Sequence, residues 1–83
     1  MLKKKKELLA ALETLAESWP ILIPAKELPR LLGGLYTAKS LANLRWLGKG
    51  PKAFKRGSRI FYLRPSVVDW LAESSQAFDP DSV

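Results

Sequence analysis

The chain has 83 residues, no Cys, no His, and a formal net charge of +6 from 14 Lys and Arg against 8 Asp and Glu. That length sets one small domain with a modest core. The composition excludes a disulfide frame, a thiolate nucleophile, Cys-based metal sites and a histidine general base. What is left is a compact basic module, and the expected partner of such a module is acidic.

Residues 2–18 read as an amphipathic helix. Leu8, Leu12, Leu15 and Trp19 recur at helical spacing, with Leu9 and Ala16 beside them and Glu13, Thr14 and Glu17 opposite. Pro20 ends it. The stripe has two principal readings, docking on the rest of the chain or pairing with a second copy; a basic helix lying on a membrane surface is a lesser one. Ile21-Leu22-Ile23 reads as one short strand. Residues 25–32 read as a short helix with Leu28, Leu31 and Leu32 inward, Pro29 tolerable only in its first turn, and Gly33-Gly34 as the stop.

Thr37 is the expected N-cap of the next helix, which runs to about Leu47 and closes at Gly48 and Gly50-Pro51. At ~100° per residue, Ala38, Leu41 and Leu44 share one side, and Lys39, Ala42, Asn43 and Trp46 the other. Ser40 and Leu47 sit on one flank and Arg45 on the opposite one. Residues 53–64 read as a β-hairpin around Gly57-Ser58. A two-residue turn pairs Phe54 with Phe61. A three-residue loop pairs Phe54 with Tyr62 and groups Phe54, Ile60 and Tyr62 on one side; that register is preferred. The last helix opens at Pro65 or Ser66, with Ser66 and Asp69 spaced as a capping box and Val67, Trp70 and Leu71 inward. Trp19 and Trp70 read as core. Residues 76–83 read as a flexible acidic tail.

The charge is concentrated. Residues 37–64 hold eight bases and no acid, whereas residues 67–83 hold four acids and no base. A solubilising surface mixes both signs, so this block suits a polyanion. No apolar run is long enough for a transmembrane helix. Glu7, Glu13 and Glu17 break any signal-peptide core after the four lysines. A cytoplasmic protein without a membrane association is therefore expected.

Helix, tight turn, helix, basic hairpin and helix form the order of a winged helix-turn-helix, in which the second helix enters the major groove of DNA. Asn43 can pair bidentately with adenine and Lys39 can donate to guanine. Thr37 and Ser40 are short enough for phosphate or a base edge. Lys55, Arg56 and Arg59 at the hairpin tip suit phosphates or a minor groove. Trp46 reads either as core beneath the hairpin or as a contact to the DNA backbone. Arg45 reads as a phosphate contact or as the partner of an acid. Lys3 to Lys6 read as a solvated helix start, or as a phosphate-binding arm. The paired carboxylates Glu13 with Glu17 and Asp79 with Asp81 read as solvated, so no catalytic residue, metal or cofactor is expected and the chain is not read as an enzyme.

The ordered set Glu27-Leu28-x-x-Leu31-Leu32-Gly33, Thr37-x-x-Ser40-Leu41-x-Asn43, Gly48-Lys49-Gly50-Pro51, Phe54-Lys55-x-Gly57, Tyr62 and Val67-x-x-Trp70-Leu71 resembles the excisionase-type (AlpA-like) winged helix-turn-helix family of the MerR-like superfamily. The resemblance covers residues 21–74. Pro29 and Arg56 depart from the family pattern, and residues 1–19 lie outside it. The fold it implies is mainly α with a small β-hairpin wing, preceded here by an extra N-terminal amphipathic helix. It divides the chain into an N-terminal helix (1–19), a DNA-binding domain (20–75) and a tail (76–83).

Carried over by position, the resemblance implies a recognition helix over residues 37–45 and a wing over residues 52–59. The candidate DNA-binding residues are Thr37, Lys39, Ser40, Asn43, Arg45 and Trp46 on the helix, and Lys49, Lys52, Lys55, Arg56, Ser58 and Arg59 on the loop and wing. The implied role is sequence-specific binding of double-stranded DNA on a phage, prophage or integrative element, in a bacterial cytoplasm and at the nucleoid. Such proteins serve as excisionase (recombination directionality factor) or small transcriptional regulator. The implied partners are an integrase or recombinase, RNA polymerase, and further copies as a homodimer or cooperative multimer. The alternative from a different class is a protein-interaction adaptor or terminase-like packaging subunit working through the N-terminal helix.

Overall fold

The structure of the chain, a computed structural model, describes the backbone of residues 2–75 and the side chains from residue 6 onward. The expected tail at 76–83, with Asp79 and Asp81, and the side chains of Lys3, Lys4 and Lys5 lie outside the described residues. The elements in order are α1 Leu2–Ala16, β1 Leu22–Pro24, α2 Leu28–Leu31, α3 Ala38–Leu47, β2 Ala53–Arg56, β3 Arg59–Leu63 and α4 Arg64–Ser74. About half of the chain is helical, and the strands form one antiparallel sheet in the order β1-β3-β2. Among the described residues no helix is long and apolar enough to cross a membrane.

The core sits between the sheet and the helices. Ile23, Tyr62 and Ala53 stand abreast across the three strands. Ile23 and Tyr62 are fully buried, together with Leu28 of α2, Leu41 of α3 and Val67 of α4. β1, expected as one short strand, is thus the third strand beside the hairpin. Its outer edge offers little for pairing. Arg64 N donates to Ile21 O and Ala25 N to Ile60 O, so the odd-numbered residues turn their backbone toward β3. That leaves Leu22 facing out, while Pro24 has no N–H and its carbonyl accepts from Glu27 N.

α1 packs along α4, so of the two principal readings of the leucine stripe, docking is seen here. The seam runs through Leu9, Leu12 and Ala16 to Trp19, and Leu15 stands half-exposed on its flank. The helix stops two residues earlier than expected. Pro20 holds Trp19 out of helical geometry, and the last turn tightens to three-residue spacing, with Trp19 N donating to Ala16 O at 2.9 Å. Arg64 closes that end: its Nη1 donates to Trp19 O at 2.9 Å and to Ala16 O at 3.4 Å.

α2 is shorter than the expected 25–32, because residues 25–27 form a turn and Pro29 sits at the helix start, where a missing N–H costs no bond. α4 begins at Arg64 rather than at Pro65 or Ser66. The sheet fixes its start through the Arg64 N–H on Ile21, and no side chain caps it. The capping box of Ser66 and Asp69 is therefore not formed.

The hairpin register corrects the preferred one. Phe54 pairs with Phe61, Lys55 with Ile60 and Arg56 with Arg59. The turn has two residues: Gly57 takes φ +61° and Ser58 stays at negative φ, the pattern of a type II′ turn with glycine first. Ala53, Lys55, Ile60 and Tyr62 consequently share one face, and Phe54, Arg56, Arg59 and Phe61 the other. Phe54 and Phe61 stack on the outside, with ring centroids 5.6 Å apart. Grouping Phe54 with Tyr62 failed because Tyr62 is the residue the core claims.

Candidate nucleic-acid interface

α3 is fixed at both ends and along its back. Thr37 Oγ1 accepts from Ser40 N at 3.1 Å, the expected N-cap. The same hydroxyl lies 3.0 Å from Ser40 Oγ, within hydrogen-bond distance. At the other end Gly48 takes φ +68°, with Gly48 N on Arg45 O and Lys49 N on Leu44 O, a Schellman closure that needs a left-handed residue. Leu41 is buried and Leu44 packs against the core. Ala38, expected on this apolar back, is exposed, because it lies toward the flank that meets the hairpin tip.

The opposite face looks to solvent. Lys39 and Asn43 are exposed, and the indole of Trp46 is 90% exposed. Trp46 is therefore not core; the hairpin sits on the Arg45 flank and does not cover it. Trp70, half-buried, takes the inner place: its Nε1 donates to Lys49 O at 3.0 Å and its ring lies 5.1 Å from Tyr36. That bond pins the loop after α3 to α4 and leaves the Lys49 side chain outside.

The eight bases of the acid-free block have different surroundings. Arg64 is spent on the end of α1. Arg45 Nη1 donates to Tyr62 Oη at 2.6 Å, with its guanidinium 5.8 Å from the Tyr62 ring centroid. Neither reading of Arg45 included a tyrosine partner. Lys52 lies 5.5 Å from the Phe54 ring. Lys55, Arg56, Ser58 and Arg59 are exposed around the hairpin end.

Between the Arg45 flank of α3 and the hairpin tip runs an open groove of about 440 Å³, bounded by Lys26, Ala38, Arg45, Ser58 and Arg59. Three sequence-predicted residues, Arg45, Ser58 and Arg59, thus meet at one place. Lys39, Asn43 and Trp46 form a second surface on the adjoining side of the same helix. Lys49 stands apart from the groove, at the end of α3 against α4. Lys26 was missed: it precedes the acid-free block, and only its position after β1, in the turn into α2, marks it. Comparison with protein-family models, with curated proteins and with solved structures finds no match for this chain.

Proposed function

We propose that the chain is a sequence-specific double-stranded DNA-binding protein with a winged helix-turn-helix. In this reading α2 and α3 form the helix-turn-helix, α3 enters the major groove, and the β2–β3 hairpin is the wing. The observation that carries it is the acid-free segment of 28 residues. It supplies a helix whose free face bears Lys39, Asn43 and Trp46, and a hairpin with a basic end beside that helix. A groove-reading helix needs a rigid back and donors and acceptors in front. α3 has Leu41 and Leu44 behind and a base and an amide ahead.

The motif resemblance to excisionase-type proteins narrows the reading to a mobile element in a bacterial cytoplasm. The role there is excisionase or small transcriptional regulator, with an integrase or RNA polymerase as protein partner. The adaptor alternative, which works through Leu8, Leu12 and Leu15, has Leu12 packed against the chain's own core and Leu15 half-exposed. No catalytic group, metal or cofactor belongs to this function.

The test is selection of bound duplexes from a random pool, followed by affinity and bending measurements on the selected sequence. A defined site is expected, bound with log K falling by about 0.9 per neutralised phosphate for each unit of log salt. Absence of duplex binding, or binding indifferent to salt, overturns the proposal.

A further inference from the structure

We infer that the groove between α3 and the hairpin tip seats one phosphodiester of the DNA backbone, and that Lys26 is a phosphate ligand there. The inference rests on the DNA-binding reading above and names a contact which that reading does not contain.

Lys26, Arg45, Ser58 and Arg59 bound this groove, and no acidic residue lines it. Glu27, the acid adjoining Lys26 in the chain, is engaged elsewhere: its Oε2 accepts from Arg30 Nε at 3.0 Å and pairs with Arg30 Nη2 at the same distance. A concave site bordered by basic residues and by no acidic one favours an anion. A phosphodiester offers one negative charge over two oxygens, which guanidinium, ammonium and hydroxyl donors can share.

Arg45 is held ready for this. Tyr62 is fully buried, and its hydroxyl takes one of the five N–H donors of Arg45. The guanidinium is thereby fixed at the groove wall with its remaining donors unspent, so less side-chain freedom is lost on binding an anion. Tyr62 is a positioning residue that acts through Arg45. The location fits a backbone contact. The groove separates the helix proposed for the major groove from the hairpin proposed to lie beside it, and a strand crossing from one to the other passes over this gap.

The experiment uses the full chain and the selected duplex. Lys26→Ala is expected to weaken binding about eightfold at 0.1 M salt, to lower the log–log salt slope by about one, and to leave base preference unchanged. Lys26→Arg restores affinity. Single methylphosphonate substitutions, walked along each strand, locate the phosphate. At one position the uncharged linkage weakens the wild type but not Lys26→Ala, and Tyr62→Phe shrinks the penalty at that same position. Inorganic phosphate, titrated against the free protein by NMR, is expected to perturb Lys26 and Arg45 only at millimolar concentration. Tight phosphate binding with Lys26→Ala duplex affinity unchanged makes the groove a small-anion site and overturns the inference. So does duplex binding in which Lys26→Ala keeps both affinity and slope while Lys39→Ala loses affinity. A wild-type protein that binds no duplex overturns the parent reading and this one together.

Discussion

Asn43 and Arg45 are two positions apart, yet their neighbourhoods differ entirely. Asn43 projects into solvent beside Lys39, whereas Arg45 folds back onto the hydroxyl of Tyr62. A side chain that reads a base must be free of the protein and aimed by its helix; one that grips phosphate gains from being tied down. In the DNA-binding reading, Asn43→Ala is expected to relax preference at one base pair, reducing discrimination there by about 1–3 kcal/mol. A selected-site competition assay measures this, and the salt slope is expected to stay constant. The exposure of Lys39 and Asn43 was legible because Leu41 and Leu44 mark the buried side by helical period. The tether on Arg45 was not legible, since its partner lies 17 residues away on a strand whose register the sequence left open. Arg64, one of eight similar-looking bases, closes the end of α1 for the same kind of long-range reason.

At the scale of elements, stop signals governed what could be read. Thr37 and Gly48 bound α3 where expected, because a cap and a left-handed residue act within one turn of the chain. Gly48→Ala tests this. A Cβ there meets no atom within 4 Å, so the cost is purely conformational. A loss of about 1 kcal/mol in denaturant unfolding is expected. The hairpin's existence was legible from its β-formers and Gly57, but its register was not. Both registers give alternating faces, and the choice falls to which aromatic the core accepts: Tyr62, flanked by Ile23 and Ala53. The start of α4 was misplaced for a related reason. A backbone bond from Arg64 to Ile21, set by the sheet, prevails over the local preference of Ser66 for a cap.

Across the whole molecule, the first helix lies on the last, so the two ends of the described chain brace the segment between them. Trp19 is the keystone of that brace, 4% exposed among Ala16, Val68 and Leu71. Trp19→Ala is expected to cost roughly 3–5 kcal/mol, a large share of the stability of a domain this size. Thermal unfolding measures it, and loss of α1 protection in hydrogen exchange would localise it. Charge is divided along the same lines. Glu7, Glu13, Asp69 and Glu73 belong to the bracing helices, and the acid-free segment forms α3 and the hairpin.

The blunted margin of β1 has a bearing on crowding. Proteins gathered along a nucleic acid reach high local concentration, and an open strand edge there would seed fibrils by templating the backbone of a neighbour. With Pro24 lacking its amide and its carbonyl already taken, a foreign strand finds only the Leu22 peptide groups to grip on that side. In the DNA-binding reading, copies crowded on one duplex would meet at this edge through side chains and not by strand pairing.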